Sequence, residues 1–326
     1  MLKAYRQQTG GLKSVAIGDA DPIPADALWI DMLNPTLDER RKVDSALGIE
    51  MPTRADMEEI EISSRLYQEE GALFMTAMVL AQTDAEIPQS GAVTFVLSAE
   101  RLVTLRYIDP QPLRTYTMRI ERTSVSASRP EIVLMQIIDT VIDRMADIQE
   151  KTGLDVEAIS RQIFEPAEGG RAVHTGKDFQ EVLRSLGRKY DLTSKMRESL
   201  LTIGRMLTFL NQAFESKAHK DVRAHIKTLS RDVLSLQDHS TYVSNKLTFL
   251  LDATLGLINI EQNNIIKIMS VAAIVFLPPT VLASIWGMNF HNMPELDWVW
   301  GYPIAIALIL ISGALPYLYF KRRDWL

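Results

Sequence analysis

Apolar and polar positions follow three rhythms along the chain. Residues 1 to about 267 mix charged and apolar positions as a soluble domain does, and nearly all the long uncharged runs come after them. Within the first 110 residues the rhythm is mostly that of strands. "ALWIDML" (27–33) reads as one strand, while "LYQEEGALFMTAMVLAQ" (66–82) and "AVTFVLSAERLVTLRYI" (92–108) read as hairpins turning near Glu69–Gly71 and Ser98–Glu100. Thr36 to Leu47 predicts an amphipathic helix, with Asn34 or Thr36 as cap and Pro35 near its start, and Arg54 to Glu61 predicts a second. This mixed order predicts an α/β domain around one sheet.

After Pro130 the spacing turns helical. Val133, Ile137, Val141, Met145 and Ile148 line one face of a helix over 131–164, "EPAEGGRAVHTG" (165–176) breaks it, and a second helix returns from Lys177 to about Ser216. The two predict an antiparallel pair with the glycine-rich break at its tip. From Asp221 no proline occurs before Pro278, and the pattern enters the first uncharged run without a loop. A helix from there to Asn289 is roughly 100 Å long at 1.5 Å per residue. Such a length suits a stalk that packs against symmetry mates.

Ile268 to Pro294 carries no formal charge with His291 neutral, and neither does Trp298 to Phe320. About 20 apolar residues cross a hydrocarbon core of about 30 Å, so each run is long enough to span. "HNMPEL" and Asp297 separate them, which predicts an α-hairpin. Lys267 precedes the first span and Lys321, Arg322 and Arg323 follow the second, whereas the loop holds Glu295 and Asp297 and no Lys or Arg. By the positive-inside rule both termini face the cytoplasm. Trp286, Trp298, Trp300 and Tyr302 gather at the outer end, and Tyr317, Tyr319 and Trp325 at the inner one, as interfacial belts do. The opening "MLKAYRQQTGGLKS" has no apolar core, so no signal peptide is expected.

Two helices cannot enclose a pore within one chain. They either anchor a soluble domain or line an axis shared by several copies. Stepping by three and four along the first span gives Asn263, Ile266, Ser270, Ala273, Leu277, Thr280, Ser284 and Gly287, a face small or hydroxylated apart from Ile266 and Leu277. Close helix packing explains such a seam as well as pore lining does, and the two are compatible. Pro278 and Pro279 deprive the carbonyls near Ile274 and Val275 of their usual donors, which is tolerable where protein or water satisfies them. That predicts a helix bordering water.

Composition narrows the chemistry. An average of 47% hydrophobic and 23% charged residues hides the division just described. The absence of cysteine removes thiolate metal sites, disulfides and cysteine catalysis. A net charge of −6 without a basic stripe argues against nucleic acid as a partner. The chain carries no phosphate loop, nucleotide glycine fingerprint, HExxH site or serine elbow, so no enzyme is expected. His174, His219, His225, His239 and His291 lack the spacing of a metal cluster.

Gly287-Met288-Asn289 at the outer end of the first of two spans, followed by "MPEL", resembles the signature of the CorA family of magnesium (and cobalt) transporters, proteobacterial type. "NIEQNNIIKIMSVAAIVFLPPT" and the closing "PYLYFKRRDWL" extend the similarity over residues 255 to 326. A related zinc-transporting branch carries isoleucine in the middle of the motif, and Met288 argues against it.

The resemblance implies an α+β membrane protein of the bacterial inner membrane, a homopentameric funnel in the lipid bilayer. Its parts are a cytoplasmic α/β domain (1–130), an antiparallel helix pair (131–220), a very long stalk helix (221–267), a pore-lining transmembrane helix (268–290), a periplasmic loop (291–298), a second transmembrane helix (299–320) and a basic tail (321–326). It implies Mg²⁺ influx, with Co²⁺ and Ni²⁺ as further divalent cations. Gly287, Met288 and Asn289 are the expected selectivity filter, where neutral oxygens hydrogen-bond to an ion that gives up water reluctantly. Gly287 is expected to let the backbone turn tightly there. Asn263, Ile266, Met269, Ala273, Leu277, Thr280 and Ser284 are the expected pore lining. Ile266, Met269 and Leu277 fall on the family's hydrophobic gate, and Asn263 and Thr280 on its polar rings. Glu295 and Asp297 make a negative outer mouth. Glu69, Glu70, Asp232 and Asp238 are candidates for regulatory Mg²⁺ bound between subunits, and Lys321, Arg322 and Arg323 for a basic collar. Two alternatives stand beside this reading: a proton-coupled Zn²⁺ transporter of the same fold, and a membrane-anchored sensor or scaffold that moves no ion.

Overall fold

The computed structural model of the chain describes residues 1–8, 11–18, 21–85, 87–122, 129–164, 176–214, 220–289, 293–294 and 298–323. The chain divides into two compact units, Met1–Ala167 with Glu181–Leu250, and Glu168–Gln180 with Leu251–Leu326.

The first unit is built on a seven-stranded sheet. Its strands are β1 (Leu2–Gln8), β2 (Gly11–Ala16), β3 (Ala27–Leu33), β4 (Leu66–Glu69), β5 (Ala72–Ala81), β6 (Gln89–Leu97) and β7 (Leu102–Arg106). They lie in the order β2-β1-β3-β7-β6-β5-β4, and only β3 and β7 pair in parallel. Alternate side chains feed two cores. Ala4, Ile30, Met32, Phe74, Val96 and Val103 meet Val43 of α1 (Leu37–Leu47) and Met57 of α2 (Arg54–Glu58) on one face. On the other, Tyr5, Trp29, Met75, Phe95 and Leu102 meet α4 (Gln111–Arg122), α5 (Pro130–Phe164), α6 (Gly176–Ala213) and α7 (Lys220–Trp286). The sheet is thus a middle layer between helices.

Local chemistry accounts for the elements. Thr36 caps α1 in a reciprocal box with Glu39, and Gly48 ends it in the left-handed conformation at φ 69°. The β4–β5 hairpin closes on Glu70 at φ 50° and Gly71 at φ 80°, both central residues left-handed as a twist-matched two-residue turn requires. A helix predicted over Arg54–Glu61 stops at Glu58, and α3 (Ile62–Arg65) follows as a separate turn. Glu58, Glu59 and Glu61 oppose the negative end of the helix dipole, and Ile60, 90% exposed, has nothing to pack on.

Two elements lay outside the sequence reading. The β1–β2 hairpin is polar at its turn end, and α4 carries the β-branched Thr115 and Thr117 that depress helical propensity. What fixes α4 is the burial of Leu113, Tyr116 and Ile120 against α5 and the sheet. Between β3 and β7 sits a buried ion pair. Asp31 accepts from Arg106 Nε at 3.0 Å and Nη2 at 2.8 Å and from Thr104 Oγ1 at 2.7 Å, and Trp29 Nε1 donates to Thr104 Oγ1 at 3.1 Å.

α5 pins to α7 through Gln149, whose Nε2 donates to the Leu236 carbonyl and to Ser240 Oγ, each at 2.9 Å. Further along, Val156 and Ile159 of α5, Val182 and Leu186 of α6, and Val243, Leu247 and Leu250 of α7 form a separate apolar cluster. The second unit holds the end of α7 and α8 (Gly301–Arg322).

Candidate functional site

α7 is helical without interruption for 67 residues and contains both Pro278 and Pro279. Its apolar window and that of α8 are long and apolar enough to cross a membrane, and they are 6% and 0% buried in the single chain. A core helix of a soluble protein would be covered. Uncovered apolar helices of this length call for lipid or for other copies.

The exposure along α7 is not uniform. Asn263, Ile266, Ser270, Ala273, Leu277, Thr280, Ser284 and Gly287 are all exposed. Lys267, Val271, Val275, Pro278, Pro279, Leu282 and Trp286 are shielded to varying degrees, Val271 down to 3%. At about 100° per residue the two sets centre on opposite sides of the helix. Met269, 67% exposed, joins the first set at its edge. The seam named from sequence thus lies opposite the shielded lane, within a wider exposed arc that also holds Ile274, Phe276, Val281 and Ile285.

α8 touches the other face. A Cβ built on Gly313 would lie 3.2 Å from Pro279 Cγ and 3.5 Å from the Val275 carbonyl oxygen. Val275 is the residue whose carbonyl Pro279 deprives of its helical donor. One consequence corrects the sequence reading: Pro278 and Pro279 are half-buried on the α8 side, so the proline pair does not of itself indicate water. Thr280, on the seam, folds its hydroxyl back to the Phe276 carbonyl at 2.7 Å.

The helix ends at Trp286, and the chain tightens there. The Gly287 N–H donates to the Ala283 carbonyl at 3.0 Å and the Met288 N–H to that of Ile285 at 3.3 Å. Glycine at 287 is not needed for a left-handed turn, since the positive-φ glycines among the described residues are Gly11, Gly48 and Gly71. It spares a tight contact: an added Cβ would stand 3.1 Å from the Ala283 oxygen. Met288 and Asn289 follow, both exposed. Glu295 and Asp297, expected at the outer mouth, lie outside the described residues, as do His174, His219, His291 and Trp325.

Lys321 and Arg322 close the last turn of α8, where cations complement the helix dipole. Arg323 lies over the Tyr319 ring at 5.8 Å. The four carboxylates named for regulation are not brought together in one chain. Glu69 and Glu70 occupy the tip of the β4–β5 hairpin, and Asp232 and Asp238 stand exposed on α7, roughly 120° apart around the helix. Asp232 instead faces a row on α5. The Asp143 carboxyl is pushed up by its partial burial and then by Asp139, Asp147 and Asp232. Among the described residues no three His, Asp or Glu side chains are placed to hold a metal ion.

Two features escaped the sequence reading. The α5 carboxylate row repeats every four residues and was legible as a helix face. Gly313 belongs to the shielded lane Gly301, Ala305, Ile309, Gly313 on α8, and the small residues Gly301, Ala305 and Gly313 at multiples of four on one helix face were the signal that could have found it.

The family model described as CorA-like Mg²⁺ transporter protein matches residues 24–322. The magnesium transport protein CorA of Escherichia coli (strain K12) is 36% identical over 326 residues, covering 100% of both chains. That of Yersinia pseudotuberculosis is 35% identical with the same coverage. Among solved structures, the CorA magnesium transporter from Methanocaldococcus jannaschii superposes with a TM-score of 0.76, over 100% of this chain and 99% of that one. At 19% identity that likeness speaks for the fold.

Proposed function

The chain belongs to the CorA-like Mg²⁺ transporter family, and on that premise we propose that five copies form a funnel in a bacterial inner membrane whose axis is lined by the exposed seam of α7. What supports this reading is that α8 shields one side of α7, while the exposed remainder includes the small and hydroxylated seam, which the proposal leaves for symmetry mates and water. In this arrangement residues 1–130 are the cytoplasmic α/β domain, 131–220 the helix pair and 221–267 the stalk. Residues 268–290 and 299–320 span the membrane, 291–298 is the periplasmic loop and 321–326 the basic tail, with both termini in the cytoplasm.

Asn289 presents a ring of neutral amide oxygens to the entering ion. Mg²⁺ holds an octahedral shell of water tightly, so a ring that hydrogen-bonds to that shell admits the ion without stripping it. Gly287 and Met288 add backbone carbonyls beside it, and Glu295 and Asp297 raise the local cation concentration at the mouth. Asn263, Thr280 and Ser284 offer polar rings along the way, with Ala273 leaving the bore open. Ile266, Met269 and Leu277 are bulky apolar rings able to close it by dewetting. Regulatory Mg²⁺ between copies, held by carboxylates such as Asp232 or Asp238 with Glu69 or Glu70 of a neighbour, favours the closed arrangement. Lys321, Arg322 and Arg323 form a positive collar at the inner end. Co²⁺ and Ni²⁺ follow the same route.

Flux into proteoliposomes carrying an Mg²⁺-sensitive dye tests the proposal. Mg²⁺ entry down its gradient is expected, falling as internal Mg²⁺ rises. Larger Zn²⁺ flux with little Mg²⁺ flux would favour the proton-coupled zinc alternative, and no flux of any divalent ion would favour the sensor or scaffold. Leu277→Asn places a polar ring among the proposed gate residues. Uptake in that variant is expected to persist at internal Mg²⁺ levels that shut the wild type.

A further inference from the structure

We propose that Gly313 is a positioning residue for the pore helix, a seat on α8 that receives the proline break of α7 and holds the seam turned away from α8. The inference rests on the pore reading of α7 given above. Three observations meet at this point. Pro278 and Pro279 lie inside α7 and cost it two backbone donors in succession, so the helix is weakest there. Gly313 comes so near that a single added carbon would press on Pro279 Cγ at 3.2 Å and rest in ordinary contact with the Val275 oxygen at 3.5 Å. The shielded lanes of the two helices run through the same spot: Val271, Val275, Pro279 and Leu282 on α7, and Ala305, Ile309, Gly313 and Pro316 on α8.

The physical logic follows from the freed carbonyl. In hydrocarbon an unpaired C=O is costly, and Val275 carries one because Pro279 has no N–H. With hydrogen at position 313, α8 seats directly over that oxygen and screens it from lipid. The two helices are then in register at the point where α7 bends most easily. Anything larger at 313 lifts α8 away and lets the end of α7, with Thr280, Ser284 and Asn289, rotate or tilt. Gly313 touches no ion. Its effect on conduction passes through α7.

The test uses the full chain, purified in detergent and reconstituted, with flux expressed per assembled oligomer so that poor assembly does not count as poor conduction. Gly313→Val is expected to lower Mg²⁺ flux at least tenfold per oligomer, and Gly313→Ala two- to fivefold. Because Pro279→Ala removes the atom nearest to the seat and also returns a donor to Val275, combining it with Gly313→Ala is expected to recover flux to that of Pro279→Ala alone. Gly313→Ala assembles with the smallest possible addition, so the pair is readable even if Gly313→Val does not assemble. Wild-type flux per oligomer in Gly313→Ala and in any assembled Gly313→Val would overturn the inference, as would strictly multiplicative losses in the double variant. Absence of Mg²⁺ flux in the wild type would instead overturn the pore reading itself.

Discussion

Replacing Asn289 with alanine is expected to abolish Mg²⁺ uptake while leaving the assembled protein intact. Asn289 is exposed, three residues beyond the end of α7, so its removal costs the fold little, within about 0.5 kcal/mol as for other surface substitutions. In the proposed funnel its contribution to passage is larger, because it repeats around the axis. A hydrogen bond to a charged group has a net worth of about 1.5–3 kcal/mol. Even about 3 kcal/mol lost over the whole ring, spread among several copies, is more than a hundredfold in rate. Asn289→Asp keeps the oxygens and adds charge, so the ion should bind harder and leave more slowly, giving reduced flux with a lower half-saturating Mg²⁺ concentration. Dye-reported flux in proteoliposomes, with light scattering to confirm unchanged assembly, measures both. Wild-type uptake in Asn289→Ala would remove the selectivity role.

Asp31→Ala is expected to damage the first unit without touching the membrane helices. Asp31 and Arg106 are 5% and 4% exposed, and the carboxylate takes both a guanidinium fork and the Thr104 hydroxyl. Burial by itself lowers the Arg106 pKa, but the hydrogen bonds and charge of Asp31, and then of Asp109, outweigh it and raise it. Removing Asp31 leaves a buried cation with Asp109 at 2.6 Å and the Ile108 carbonyl at 3.2 Å as its remaining partners. Breaking a buried pair costs about 3–5 kcal/mol, and the surviving contacts put this case near 3. For a unit of this size the unfolding midpoint should fall by roughly 6–12 °C. Thermal unfolding of the full chain in detergent, followed by tryptophan fluorescence, reports it because Trp29 is bonded to Thr104 in the same network. A shift under about 2 °C would mean the pair contributes little net stability.

The parts of this molecule legible in its sequence are those where one physical rule dominates. The two long apolar helices were legible because an uncharged run of about 20 residues is enough to cross hydrocarbon as a helix, and the hairpin at Glu69–Gly71 because glycine marks a left-handed turn position. The long run from Asp221 to the first span appeared because nothing in it breaks a helix. What stayed hidden depends on distant partners. α4 is held by Leu113, Tyr116 and Ile120 finding α5 and the sheet, and a twelve-residue stretch with two threonines does not announce that. That α8 covers the side of α7 carrying Pro278 and Pro279 stayed hidden for the same reason, since the position of Gly313 shows it. The candidate regulatory carboxylates could not be paired from sequence, because a site shared between copies, as proposed, would leave no spacing within one chain.

The absence of native cysteine makes one direct measurement of the seam possible. Single cysteines placed from 266 to 287 in the reconstituted protein, at low Mg²⁺, can be challenged with a water-soluble methanethiosulfonate and scored by block of Mg²⁺ flux. A wet axis along α7 predicts reaction at Ala273→Cys, Leu277→Cys, Thr280→Cys and Ser284→Cys, and protection at Val271→Cys, Val275→Cys and Leu282→Cys. Reaction confined to the 271–275–282 lane, or none at the four seam positions while the wild type conducts, would contradict a path along this face.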